Sequence, residues 1–395
     1  MQKIGFMTDK GWRFRGNELK YLEEVLGSGF TAGASGSMNQ RLEEEFAKMH
    51  GQKFAVSANS GTSTLHMALA AFGVETGDEV IIPALTVASC GYAVWHSGAT
   101  PVYADVLPDT FLMDPADVEK KITKKTKAIM PVHIYGLMCD MEAIMKIADK
   151  HGLYVVEDCA QSYLAHDHQG RIAGTVGHVG SWSFENSKHI STGDGGIVTT
   201  NDETLATRMR QFGGCGFKNI TANSGKVRVS RDHFQDPLWE RHNILAYNYR
   251  LPEICAAIGL AQLEHIDDFI NLRVLMGQGY ISAIGNNELF TIQKVLPGYK
   301  HTYYTFGALF NGDSAGIPWQ AFRKKYMEYG GDGIYAAWQT VNNEPCFRNP
   351  KMGWGEVPVA EKLQRKMMQF TTNQANQQER NIQTEAMIKT LRFFS

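Results

Sequence analysis

Four short segments carry side chains whose types and order could do chemistry. Val155-Val156-Glu157-Asp158 is an apolar run ending in two acids. As a buried strand it would bring a carboxylate to its C-terminal edge, where open α/β sheets bind ligands. Lys188 lies 30 residues after Asp158, in Ser183-Phe184-Glu185-Asn186-Ser187-Lys188-His189, close behind another strand pattern. Asn59-Ser60-Gly61-Thr62-Ser63 falls between a strand and a helix, where free amides, hydroxyls and the helix dipole hold phosphate. Ser191-Thr192-Gly193-Asp194-Gly195-Gly196 reads as a tight turn that sets the direction of the lysine. A lysine whose uncharged amine adds to an aldehyde, a carboxylate that keeps a pyridine nitrogen protonated, and a phosphate cup are what pyridoxal phosphate (PLP) requires. Each part also has a plain reading: Asp158 as a helix cap, Lys188 as a surface charge, Ser60-Gly61 as an ordinary N-terminus. Their order and spacing together favour the cofactor. No Gly-Lys-Ser/Thr follows Gly61 and no Gly-x-Gly-x-x-Gly stands at that turn, so triphosphate and dinucleotide sites lack support.

Those segments need a sheet to carry them. Strand patterns occur at Phe54–Ser57, Glu79–Ile82, Pro101–Ala104, Ala128–Val132 and Tyr154–Glu157, then at Gly180–Phe184 and Gly196–Thr200. Helical patterns at Ser63–Gly73, Val87–Ser97, Pro115–Ile122 and Asp140–His151 separate the first five. Apolar strands alternating with crossover helices predict an α/β domain with a mostly parallel, two-sided sheet. Amphipathic helices are expected earlier, at Asn17–Gly27 and Asn39–Met49. An irregular stretch from Gly213 to Tyr247 is too long for a simple connector. A helix is expected over Pro252–Ile270, and the Gln/Asn-rich Asn373–Asn381 reads as a solvated helix start or loop. The division expected is a large domain over 1–250 and a smaller mixed α/β domain over 251–395.

Composition narrows the partners. The 395 residues are 43% apolar and 20% charged with a formal charge of −2, so no global basic field draws nucleic acid or an anionic membrane. The first residues hold no apolar run of signal-peptide length, and acids interrupt the longest helical apolar stretch. A soluble cytoplasmic protein is expected. Cys90, Cys139, Cys159, Cys215, Cys255 and Cys346 show no zinc or redox spacing, so no metal site is expected and buried reduced thiols are.

From about Gly16 to Leu263 the chain resembles the DegT/DnrJ/EryC/StrS group, the fold-type I aminotransferases of nucleotide-linked keto sugars. The resemblance rests on Gly16-Asn17-Glu18-Leu19-Lys20, Ser60-Gly61-Thr62, Gly77-Asp78-Glu79-Val80 through Pro83, and Glu157-Asp158-Cys159-Ala160-Gln161. It rests also on Ser183 through Lys188 to Gly196, and on Asn248-Tyr249-Arg250 with Ala256 through Leu263. It implies a large, mostly parallel α/β/α domain with a smaller C-terminal α+β domain. Lys188 would form the Schiff base and move protons, Asp158 would hold the pyridine nitrogen, and Gln161 would sit near the ring. Gly61, Thr62, Ser63 and Ser183 would cradle the phosphate, and Asn248 would complete the cup of a partner subunit, making a homodimer with shared sites.

The implied reaction is ping-pong. An amino acid, glutamate by family expectation, loads the cofactor, and a nucleotide-linked keto sugar takes the amine. A GDP-linked 4-keto-6-deoxy hexose, giving a perosamine-type product, is the acceptor expected. The alternatives are a dehydratase or a 3-keto sugar or cyclitol aminotransferase of the same family. His189, Arg250, Arg228 and Arg231 are candidates for holding donor carboxylate, sugar or diphosphate. The family's dehydratases have histidine where Lys188 stands; here histidine follows it. One departure is Val87, at a position usually aromatic, where it would pack on the cofactor without stacking; either cofactor affinity or reactivity would differ, or Trp95 or another ring would compensate.

Overall fold

The computed structural model describes residues 11–30, 37–226 and 229–395. Seven strands form one sheet: β1 (Phe54–Ala58), β2 (Glu79–Pro83), β3 (Thr100–Ala104), β4 (Thr126–Ile129), β5 (Tyr154–Asp158), β6 (Val179–Ser183) and β7 (Gly196–Thr200). Their order is β1-β7-β6-β5-β4-β2-β3. Strands β2 to β6 pair in parallel, whereas β7 runs antiparallel to both β1 and β6. Two reversals cancel, so β1 points the same way as β6. The C-terminal ends of β1, β2, β5 and β6 therefore share one edge, and the candidate residues follow those ends. The strands are almost wholly buried, as apolar runs of a two-sided sheet must be.

All seven strands fall within three residues of the expected limits. The expected helix over Pro252–Ile270 is instead two, Glu253–Leu263 and Ile266–Ile284. At the junction His265 leaves helical geometry (φ −118°, ψ 14°), and Glu264 accepts hydrogen bonds from the Tyr21 hydroxyl and from Asn17 Nδ2. Capture by the N-terminal helix Glu18–Ser28 accompanies the turn. The Gln/Asn-rich stretch does start a helix, Gln377–Phe394, capped where Asn376 Oδ1 accepts the Glu379 N–H at 3.0 Å. It is not all solvated: Gln374 is buried, its Nε2 donating to Asp332 Oδ2 at 3.0 Å and to Thr371 Oγ1 at 2.9 Å.

Two apolar cores result. The first surrounds the seven-stranded sheet and takes in the helix Glu253–Leu263. The second fills the space between the helices Ile266–Ile284, Trp319–Glu328 and Gln377–Phe394 and an antiparallel sheet. That sheet comprises β8 (Phe290–Ile292), β9 (Phe306–Phe310), β10 (Tyr335–Ala336) and β11 (Met367–Phe370), in the order β10-β11-β9-β8. No helix of the described residues is long and apolar enough to cross a membrane. All six cysteines are free thiols; Cys90, Cys139 and Cys159 are buried, whereas Cys346 is exposed.

A buried ion pair ties two helices, Ser37–Met49 and Glu203–Gly213, to β1. Arg210 Nη2 donates to Glu43 Oε2 at 2.8 Å and to the Ala55 carbonyl at 3.0 Å, while Glu43 Oε1 accepts from the Ser57 N–H and hydroxyl, each at 2.8 Å. Replacing Glu43 by alanine leaves a buried guanidinium without its acid. Urea denaturation of Glu43→Ala is expected to show a loss of about 3–5 kcal/mol.

Candidate active site

β1 ends at Ala58, and the chain turns at Asn59-Ser60 into the helix Gly61–Ala71. Ser60 caps that helix, its Oγ accepting the Ser63 N–H at 3.1 Å. The turn packs directly on the end of β6: a Cβ on Gly61 would lie 2.7 Å from Ser183 Cβ. Only glycine lets the helix N-terminus approach so closely. Ser60, Gly61, Thr62 and Ser183 thus form one wall of a cleft that also receives Val87, Asp158, Ser181 and Lys188. Ser63 is buried instead, its hydroxyl donating to Asn59 Oδ1 at 2.7 Å, so Ser60 and Thr62 present the hydroxyls on this wall.

Strand alternation divides the two acids of β5 between opposite faces. Glu157 points away from the cleft, where it accepts from His133 Nε2 at 2.8 Å and from the N–H groups of Gly174 (2.9 Å), Val176 (2.8 Å) and Gly177 (2.6 Å). Burial pushes its pKa up, but these donors outweigh burial and hold it below the usual carboxylate range. His133 Nδ1 accepts the Cys139 N–H at 3.1 Å, which leaves the Nε2 proton directed at Glu157. Although His133, Glu157 and Cys159 lie close enough to hold a metal, both nitrogens and the carboxylate are already committed within the protein.

Asp158 faces the cleft with far less support. Its donors are the Ala160 N–H at 3.0 Å and the Cys90 thiol at 3.3 Å. Burial raises its pKa, only partly opposed by those two donors and the Lys188 charge. A buried carboxylate so sparsely paired suits a cationic ligand group such as a protonated ring nitrogen. The cleft offers that acid, a lysine and a hydroxyl-lined helix N-terminus, which together fit PLP.

Lys188 projects from the loop between β6 and β7, its Nζ 4.4 Å from the centre of the Tyr304 ring. Two guanidiniums hold that loop by its carbonyls. Arg13 donates to Asn186 O at 3.0 Å and to Lys188 O and His189 O, each at 2.7 Å. Arg273 donates to Ser187 O at 2.9 Å and Lys188 O at 3.3 Å, and reaches Tyr304 O at 2.6 Å and Thr372 Oγ1 at 3.1 Å. Burial lowers the pKa of Arg13 to about 10, and burial with the Arg13 charge lowers that of Arg273 to about 9. Sequence reasoning missed both arginines and Tyr304. Their partners are backbone carbonyls far away in the chain, which leave no residue-type signature.

The other described candidates lie off the cleft wall. Gln161 is buried behind it, its Oε1 accepting the Tyr135 N–H at 2.7 Å and so holding a tyrosine at φ 64°. His189 is buried, with Nε2 3.1 Å from Thr302 O, and burial drives its pKa well below the ordinary value. It is therefore a neutral ring packed inside the protein. Asn248 is exposed and accepts from Arg250 Nε at 2.8 Å; Arg231 begins a short exposed helix, Arg231–Gln235. Arg228 lies outside the described residues. Trp95 is half-exposed and does not line the cleft, so in this chain Val87 packs there without it.

A family model for the DegT/DnrJ/EryC1/StrS aminotransferase family matches residues 13–384. A GDP-perosamine synthase of Escherichia coli O157:H7 is 40% identical over 294 residues, covering 74% of this chain and 75% of the relative. A GDP-perosamine synthase of Vibrio cholerae is 36% identical over 289 residues, 73% of each chain. The solved structure of an aminotransferase from Psychrobacter cryohalolentis superposes with a TM-score of 0.87 at 28% identity, covering 95% of this chain and 97% of that one.

The Asp158 carboxyl has a consequence for stability. Because its folded pKa lies above its unfolded value, the native state keeps a proton that the unfolded state releases as pH rises. Stability that is present below pH ~4 is then lost on the way to neutrality. Asp158→Asn removes the titrating group. The cofactor-free variant is expected to be more stable than the parent at pH 7, by about 1–2 kcal/mol in urea, and the gap should shrink toward pH 4.

Proposed function

The chain belongs to the DegT/DnrJ/EryC1/StrS aminotransferase family, and from that premise we propose that it moves an amino group from glutamate to a GDP-linked 4-keto-6-deoxy hexose by a ping-pong reaction, giving a perosamine-type product. Enzymes of this family work with PLP. The observation that carries the reading is the convergence of Lys188, Asp158 and the Ser60-Gly61-Thr62 turn on one cleft. The names of the relatives support the choice of acceptor.

When bound, PLP supplies an electron-accepting ring that stabilises negative charge at the donor's α-carbon. The Asp158 carboxylate would keep the ring nitrogen protonated and gain the cation it lacks. Thr62, Ser60 and Ser183 would hold the phosphate at the N-terminus of the helix Gly61–Ala71, where dipole and free amides favour an anion. Val87 would line the apolar side of the site. Lys188 would move the proton between the donor α-carbon and the cofactor's C4′ position, and would run the same transfer backwards for the sugar.

Transamination is favoured over dehydration by the placement of the histidine. His189 stands beside Lys188, buried and committed to the Thr302 carbonyl, while the lysine projects into the cleft.

A homodimer completes the site in this reading. Asn248 is exposed on its own chain, available to a partner's phosphate. Nearby, Phe234, Leu238, Ile244, Leu245 and Tyr247 are exposed, Leu238 at 87% and Leu245 at 97%. An apolar face of this kind marks an interaction surface. Arg231 and Arg250 would meet the partner's substrate from the same stretch, and the enzyme would work in the cytoplasm.

The test is spectroscopic. Purified protein with PLP is expected to absorb in the visible at roughly 400–430 nm, to lose that band with glutamate, and to regain it with a GDP-4-keto-6-deoxy hexose. Lys188→Ala should bind PLP without forming the band. A wild-type protein with no visible band after PLP is added would overturn the reading. A band that ignores glutamate would move the assignment to another donor or to the dehydratases.

A further inference from the structure

A second cavity, of about 480 Å³, lies between the lysine loop and the antiparallel sheet. Its walls include Ser187, Tyr304, Trp338, Gln369, Thr371 and Asn373. Tyr304 joins it to the catalytic cleft, since the ring that borders this cavity also lies 4.4 Å from Lys188 Nζ. The Tyr304 hydroxyl is hydrogen-bonded to Ser187 Oγ at 2.7 Å, so the tyrosine is fixed to the loop that carries the lysine.

The sequence of β11, Met367-Met368-Gln369-Phe370, explains how a polar group comes to face this space. Met368 and Phe370 belong to the second core. Strand alternation turns Gln369 to the opposite face, toward the cavity. Gln369 is only 5% exposed. Its Nε2 makes a 3.3 Å bond to Ala336 O, which leaves Oε1, open to the cavity, to accept from a ligand hydroxyl. Beside it Trp338, in the segment after β10, presents a partly exposed indole. Among the described residues the one charged side chain on the wall, Arg273, already spends its hydrogen bonds on Ser187, Lys188, Tyr304 and Thr372.

An aromatic face, neutral amides and hydroxyls, and no free charge suit an uncharged polyhydroxylated ring rather than a carboxylate or a phosphate. We infer that this cavity receives the hexose of the acceptor, with Trp338 against the ring and Gln369 Oε1 accepting a sugar hydroxyl. The inference rests on the proposed sugar aminotransferase reading and assigns its specificity to the tail of the chain. The nucleotide diphosphate lies elsewhere.

Calorimetric titration of the full-length, PLP-loaded protein with GDP-mannose and with GDP tests it. GDP-mannose lacks the ketone, so it binds without reacting. In the wild type the hexose should tighten binding relative to GDP by roughly tenfold, about the worth of one hydrogen bond to a buried group. Gln369→Leu and Trp338→Ala should each abolish most of that increment, while GDP alone, the reference for an intact fold, keeps its affinity. An absent increment in the wild type, or one that both variants retain, would sink the inference. Loss of the visible band with glutamate reads the donor reaction independently, so failure here is separable from failure of the aminotransferase reading.

Discussion

The grip of two guanidiniums on the carbonyls of Asn186 to His189 is the contact on which the catalytic geometry depends. A loop between two strands has no ladder of its own to fix it, and here Arg13 and Arg273 supply the missing donors. Arg13 comes from the N-terminal arm. Arg273 comes from the long helix that leaves the first core for the second, and it also reaches Tyr304 and Thr372. One side chain therefore registers the lysine against both cores. Cation-to-carbonyl bonds are stronger than neutral ones, and here they operate in a buried setting that lowers the pKa of both arginines.

The acids of β5 show how one strand serves fold and chemistry at once. Adjacent in sequence, Glu157 and Asp158 face opposite sides and meet opposite surroundings. Glu157 has four donors and fixes the segment from Gly174 to Gly177. Asp158 has two weak claims on its charge and is left to be satisfied by a ligand. The cost of the second arrangement falls on the cofactor-free protein, the usual relation between a binding site and the stability of the fold that carries it.

The tail adds a different device. Its own core is aromatic and aliphatic, yet a glutamine within β11 and a tryptophan after β10 face the space beside the lysine loop. Joining the two cores through Arg273 keeps this wall at a defined distance from Lys188. Replacement of side chains in the tail can then alter what is accepted without disturbing the residues that move protons.

The sequence by itself determined the sheet and most of the cleft. Seven strands were legible because each is a short apolar run flanked by turn residues, and a helix N-terminus after β1 was legible from Ser60-Gly61. Gly61, Thr62, Val87, Asp158, Ser183 and Lys188 meet in the cleft because they follow strands whose ends share one edge. The family resemblance singled out Asp158, but a run of two acids does not state the pleat, and only the tertiary structure showed why Asp158 and not Glu157 faces the cleft. It also showed that His189 is buried with Nε2 on the Thr302 carbonyl, that Ser63 spends its hydroxyl on Asn59, and that Asn248, Arg231 and Arg250 lie off the cleft wall of their own chain. The break after Leu263, read from the sequence as one continuous helix, depends on contacts made by Glu264 with residues nearly 250 positions away. The same holds for Arg13, Arg273 and Gln369. Their roles come from carbonyls and empty space supplied by distant segments, and no local pattern encodes a partner that only folding brings near.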